Sequence, residues 1–476
     1  MERERRDRQI WFAFVACLVV GAGVRLLNLD APIIGMHSWR QADTAAIARN
    51  FHEFGYHFFL PQIDWGGATH GYVESEFPIF PFTVAVLYGA LGVHEWIGRF
   101  AAVTAFLVGA IALFDLTRRA IDLPTAMWSF AFYLFLPLNI FYSRAFMPEP
   151  WMISASVLGI YWFYRWTQDD RTSHLAIAAT FVTLAALLKL PALYLGLPLA
   201  WMGWSKYKSG AIRRGVLWAV VVAVLVPVAA WYFHAHQILE RGGQTFGVWE
   251  YGSDKWGNWA LVASWEFWNG VIFRSLAERW FTWAAFAVLI VGIFLPRRAR
   301  DERLFDAWLL AALVYVVIVA RGNYVHEYYQ LPFLPVGVVY IGKVFARHWG
   351  STWRTAPRAL LALCLVVTAG LSASRLGDYL RREDPSRSRE IALGREIRER
   401  TEPNALVVAV QEGNPTLLYH AHRKGWSISQ SSVTESSLRE LHAKGARYVV
   451  STQDFGPPAG HVEVYRGQHG YIARIP

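Results

Sequence analysis

Ten long apolar runs, most of them closed by a short cluster of Lys and Arg, constrain this chain more than any other feature. They lie at 10–24, 100–116, 124–142, 151–166, 174–204, 215–233, 279–296, 303–320, 330–346 and 359–376. Runs of this kind are solvated by lipid rather than water, so the chain reads as a mainly α, polytopic membrane protein. Composition agrees, with 54% hydrophobic and only 17% charged residues, against about 25% charged in soluble domains. Soluble dehydrogenase, nuclease and regulator readings are thereby excluded. Cys17 and Cys364 both sit inside apolar runs, which leaves neither a disulfide scaffold nor a Cys-based metal site.

Charge placement orients the spans. The basic N-terminus MERERRDRQ precedes the first run with no small-residue cleavage site after it, which fits an uncleaved helix with its N-terminus inside. The clusters Arg118/Arg119, Arg165 to Arg171, Lys206 to Arg214, Arg297 to Arg303 and Arg347 to Arg358 are then cytoplasmic, which accounts for the net charge of +10 without nucleic acid. This parity holds if 174–204 crosses twice, turning at Lys189-Leu190-Pro191, and if 77–92 does not cross. Pro78 and Pro81 suit a broken segment there. The count is about eleven spans with the C-terminus outside.

Two soluble regions face outward. The first is the loop 28–99, too long for an ordinary connection. The second is the tail: we divide the chain into a transmembrane catalytic domain, 1–376, and a soluble domain, 377–476. In the tail SREIALGREIRER and SSLRELHAKG have helical periodicity, and NALVVAV and ARYVVST read as buried strands, which predicts a small α/β domain.

Polar residues crowd the outer side, where burial near lipid makes them functional candidates. In the first loop, helical spacing puts Arg40, Asp43 and Ile47 on one face, with His37 before them and Glu74 and Glu76 after. An ordinary ion pair explains that spacing equally well. Arg144 and Glu149 flank Pro148, and Glu149 also fits a first-turn acid that complements a helix dipole. Lys189, between LAALL and LPALYL, faces hydrocarbon unless an anion or water meets it. Arg321, His326, Tyr328 and Tyr329 form the last cluster, and its tyrosines also suit an interfacial aromatic belt. No cluster has the spacing of a zinc site, and no nucleophile motif is present.

Taken in order, RLLNLDAP, HSWRQADTAAIARNF, ESEFPIF, YSRAFMPEP, LLKLPAL, HEYYQLPFLP and LLYHAHRKGW resemble the bacterial GT-C fold glycosyltransferases related to protein O-mannosyltransferases and the lipid A aminoarabinose transferase. The resemblance implies a polyprenyl-phosphate sugar as donor, a glycan, lipid or protein acceptor on the extracytoplasmic face of a bacterial inner membrane, and no nucleic acid. It also implies an acidic base in the first loop, usually within an Asp-Glu pair. This sequence departs from that pair: measured back from Ile47-Ala-Arg49 it falls on Arg40-Gln41, and from Pro32 near His37-Ser38. The base role therefore passes to Asp43, and Glu76, two before Pro78, takes the second acidic position with Glu74 as competitor. Lys189, Arg144, Arg40 and Arg321 become the donor-phosphate candidates. His37, Glu74, Glu149, His326 and Tyr329 become substrate-binding candidates. Related enzymes differ in divalent metal use, and without an Asp-x-Asp motif the reading is cofactor-free and metal-independent.

Two other classes compete. A lipid-linked sugar flippase or secondary transporter would show inverted repeats, and none is visible. A scaffold for envelope assembly would leave Lys189 and the acidic clusters without a purpose.

Overall fold

The computed structural model describes residues 2–247, 256–349, 355–453, 456 and 460–476; part of the predicted basic cluster Arg347 to Arg358 lies outside them. In chain order the main helices are α1 (Glu2–Leu26), α2 (Ser38–Glu53), α3 (Ile79–Leu91), α4 (Glu95–Ala120), α5 (Leu123–Phe135), α6 (Pro137–Tyr142), α7 (Glu149–Asp169), α8 (Thr172–Leu188), α9 (Gly196–Tyr207) and α10 (Gly215–Glu240). They continue with α11 (Trp283–Phe294), α12 (Arg303–Ile318), α13 (Phe333–His348), α14 (Thr355–Arg382), α15 (Arg389–Arg400), α16 (Thr416–Ala421) and α17 (Glu435–Ala443).

Among the described residues, four helical segments are long and apolar enough to cross a bilayer unaided: Arg8–Leu26, Glu95–Ala120, Gly215–Glu240 and Ala356–Arg382. Trp265–Trp280 and Trp283–Phe294, bent by 112°, make a fifth if the pair is one span. The expectation of about eleven crossings is met only if interrupted and shorter helices cross as well. The break at Lys189 is one of them. Pro191 has no N–H to carry the α8 hydrogen-bond ladder onward and its ring crowds the preceding turn, so α8 stops at Leu188, Lys189 turns extended (φ −155°, ψ 112°) and a new turn opens at Leu190. The tyrosine hydroxyl of Tyr232 accepts the freed Leu190 N–H at 2.9 Å, as a low-dielectric setting demands. Like α5, α3 has 13 residues. At 1.5 Å per residue it spans only about 20 Å against a hydrocarbon core of about 30 Å.

Internal contacts divide the chain into two units. The first comprises Met1–Leu27, Phe100–Tyr232 and Tyr251–Gly377. Its helices approach closely through small residues, as lipid-facing bundles do. A Cβ on Gly342 of α13 would stand 2.2 Å from Ser129 Oγ of α5. Arg25, at the end of α1, is fully buried but satisfied: it donates to Ser143 Oγ at 2.6 Å and to the Gly21 and Leu134 carbonyls at 2.8 Å.

The second unit comprises Asn28–Arg99, Phe233–Glu250 and Asp378–Pro476. The first loop and the tail therefore belong to one body. The tail carries strands β1 (Leu406–Val410), β2 (Gly425–Ile428), β3 (Ala446–Ser451), β4 (Val462–Gly467) and β5 (Gly470–Arg474), in the spatial order β2-β1-β3-β5-β4. β1 runs parallel to β2 and β3, in register Val408 with Trp426 and Val449, and β5 closes the sheet antiparallel to β3 and β4. Alternate residues serve opposite faces. Val407, Ala409, Val450 and Ile472 pack with Leu393 and Ile397 of α15 and Leu417 and Leu418 of α16. Val408, Val410, Val449 and Ala473 pack with Leu438 of α17. Cover on both faces is why NALVVAV and ARYVVST are continuous apolar runs rather than alternating ones. The α15, β1, α17 and β3 order follows the sequence expectation. Missing from that expectation were α16, β2 and the β4–β5 hairpin, whose sequences are short and only partly apolar.

Candidate active site

In the second unit the predicted helix forms as α2, and its residues 40–51 are all buried. His37 caps its N-terminus in the left-handed region at φ 50°, uncommon for a side-chain-bearing residue. Asp43 is 3% exposed, and its Oδ1 accepts the indole N–H of Trp65 at 2.9 Å. One turn earlier Arg40 donates to Glu76 Oε1 at 2.8 Å and lies over the Phe246 ring, 5.1 Å from its centre. Two sequence candidates are thus each other's partner. Glu74 turns to other groups: it accepts from the Thr245 hydroxyl, and His236 Nδ1 lies 3.4 Å from its Oε1.

A second aspartate, Asp64, is the natural rival to Asp43. Arg49 donates to it at 2.5 Å and Asn50 at 3.1 Å, so both its oxygens are engaged. Asp43 differs. Burial pushes its carboxyl up to about 7, while the Trp65 N–H and Arg40 pull it down and Asp64 and Glu76 push it up again. A carboxylate that titrates near neutrality is matched to proton transfer at physiological pH.

The first unit holds a different cluster. Lys189, at the α8 break, meets Glu149 of α7 at 3.0 Å, and their side chains are 10% and 1% exposed. This is the anion its sequence position required. The ammonium also lies 5.4 Å and 5.0 Å from the ring centres of Tyr328 and Tyr329, in favourable cation–π range. Glu149, Lys189, Tyr194, Tyr315, Tyr328 and Tyr329 line one small cavity. His326 stacks on Tyr328, with ring centres 5.2 Å apart, and so joins the tyrosine group. Arg144 is buried in the turn between α6 and α7, whereas Arg321 is exposed on the single turn Ala320–Val325. Among the described residues no three His, Cys, Asp or Glu side chains gather closely enough to hold a metal ion.

Sequence reasoning missed Trp65, Arg49, Asp64, Tyr419 and His236. Their partners lie far away along the chain, and nothing in local spacing announces them.

With that geometry in hand, comparison with solved structures is decisive for the fold. Crystal structures of ArnT from Cupriavidus metallidurans superpose with TM-scores of 0.65 in the apo state and 0.66 with bound undecaprenyl phosphate. They cover 97% of both chains at 16% and 14% identity. The chain has the GT-C glycosyltransferase fold. The GT-C archaeal oligosaccharyltransferase AglB from Archaeoglobus fulgidus, solved with an inhibitory peptide and a dolichol-phosphate, matches at TM-score 0.56 and 14% identity over 92% of this chain and 69% of its own. Residues 75–234 match the family model of dolichyl-phosphate-mannose-protein mannosyltransferases. That segment links this GT-C chain to the protein mannosyltransferases. A search of curated proteins finds no match.

Proposed function

We propose that the chain is an integral membrane glycosyltransferase that moves a hexose or pentose from a polyprenyl-phosphate donor to an acceptor hydroxyl on the extracytoplasmic face, with inversion. The observation that carries this reading is Asp43: a buried carboxylate on a rigid helix, poised near pH 7, in a chain with the GT-C fold. A related fold solved with undecaprenyl phosphate supports the donor class.

In the reaction, Asp43 takes the proton of the acceptor hydroxyl as the new bond from that oxygen to the sugar's anomeric carbon forms. The bond from the anomeric carbon to the donor phosphate oxygen breaks, and the phosphate leaves with the electron pair. Glu76, oriented by Arg40, assists in holding the acceptor. Lys189 and Arg144 meet the negative charge gathering on the lipid phosphate, with Arg40 and Arg321 as further cations. A preorganised cation in a water-poor site typically lowers such a barrier by about 3 kcal/mol. His37, Glu74, Glu149, His326 and Tyr329 are assigned to substrate binding. The membrane is a bacterial plasma membrane, with the N-terminus cytoplasmic and the tail outside.

The test is sugar transfer by purified protein in nanodiscs, using radiolabelled polyprenyl-monophosphate sugars and a membrane extract as acceptor. Transfer by the parent that collapses in a folded Asp43→Asn variant is the expected result. Full transfer by Asp43→Asn moves the base to Glu76, Glu74 or His37. Donor that crosses the bilayer without transfer overturns the reading in favour of a flippase.

A further inference from the structure

Asp43 does not reach its setting through α2 alone. The indole that donates to it belongs to Trp65, and the backbone on either side of Trp65 is held by the tail. Gly425 N–H, at the start of β2, donates to the Asp64 carbonyl at 2.9 Å, and the Gly425 carbonyl accepts from Gly67 N–H at 2.7 Å. The stretch 64–67 is thus pinned at both ends to one residue at the edge of the tail sheet. Both contact residues are glycines for steric reasons. A Cβ on Gly425 would lie 1.8 Å from the Val407 carbonyl oxygen of β1. A Cβ on Gly67, which adopts φ +66°, would lie 2.5 Å from Trp426 Nε1. The Trp65 ring also packs against the tail core that contains Leu393, Leu417 and Val450.

Side chains reinforce the same junction. Arg49, on the α2 turn after Ile47, donates to the Tyr419 carbonyl of α16 at 2.9 Å and stacks over the Tyr419 ring at 4.7 Å. Its other arm grips Asp64, the residue before Trp65. Asn50 bonds both Asp64 and the Gln62 carbonyl, and Lys424 reaches Gln62 Oε1 at 3.3 Å. These ties converge on 62–67 and on the helix that carries Asp43.

We propose that the C-terminal domain is a positioning element for the first-loop acid: its Gly425 edge captures residues 64–67 and thereby seats the Trp65 indole on Asp43. Trp65 is a positioning residue that acts through Asp43. The catalytic consequence rests on the reading of Asp43 as base, but the positioning itself does not.

An activity-independent readout separates the two. Infrared titration of the protein in nanodiscs follows the carbonyl stretch of the protonated carboxyl that disappears in Asp43→Asn. Losing a hydrogen bond to the charged form makes ionisation harder, so Trp65→Phe is expected to raise the midpoint by on the order of one pH unit, a tenfold change in proton affinity. Gly67→Ala, which leaves Trp65 intact but strains the captured stretch, is expected to raise it in the same direction. An unchanged midpoint in folded Trp65→Phe overturns the role of Trp65. A shift in Trp65→Phe with none in folded Gly67→Ala overturns the role of the tail. If Trp65→Phe does not fold, Gly67→Ala alone decides. Parent-level sugar transfer by Asp43→Asn, by contrast, sinks the base assignment and leaves the titration to judge the positioning.

Discussion

The two units handle a buried charge in opposite ways. In the first, Lys189 finds Glu149 at 3.0 Å: the break that presents the lysine is written locally, in an apolar helix, a lysine and a proline, while the acid that meets it opens another helix. In the second, Asp43 is left acidic in a setting assembled from three separated stretches of chain, with one indole and one guanidinium pulling against burial. The first cluster neutralises its charge within the pair. The second keeps a proton exchangeable near neutral pH. A fixed counter-charge and a titratable acid are different chemical tools.

The sharpest way to break this contrast is Asp43→Asn. If Asp43 is the base as proposed, the variant should lower transfer about 10²–10⁴-fold with little change in donor affinity, read as kcat at saturating donor. If Lys189 meets the departing phosphate as proposed, Lys189→Gln should lower kcat by about 10²–10³-fold. It also leaves Glu149 buried without that partner. Its stability should therefore fall by about 3–5 kcal/mol. Adding Glu149→Gln should restore thermal stability but not activity, and recovery of both would make the pair purely structural.

Stability against pH sharpens the same comparison. Asp43 has its carboxyl raised from 3.8 to about 7 on folding. Its contribution is thus full below about 3.8, declines as the pH climbs toward 7, and is flat beyond. Asp43→Asn should gain thermal stability relative to the parent across that window and hold a constant advantage above it. Transfer by the parent should run the other way, rising with pH through about 7 as the base ionises. The smallest effect is expected from His422→Ala. His422 and Glu53 lie 3.0 Å apart with side chains 50% and 27% exposed, so the loss should stay under about 1 kcal/mol in a thermal-shift assay.

These differences also explain what the sequence could reveal. Apolar run lengths and basic clusters located the helices of the first unit, and Lys189-Leu190-Pro191 announced its own break, because hydropathy and proline sterics act within a few residues. Helical spacing placed Arg40 and Asp43 on α2, but not the pairing of Arg40 with Glu76, 36 residues on. Trp65 was invisible for the same reason. Its meaning depends on Gly425, and neither the Gly66-Gly67 pair nor Lys424-Gly425-Trp426 carries a periodic signal that tells one to seek the other.

The bond from Arg49 to Tyr419 joins residues 370 positions apart. A ribosome adding about 5–20 residues per second needs on the order of 20–70 s to make the chain between them. For that interval the first loop is already made while the tail edge that pins it does not yet exist. Asp43 can acquire its full setting only after the tail strand that holds residues 64–67 has been synthesised, so a truncated or stalled chain would insert its helices without assembling its acid.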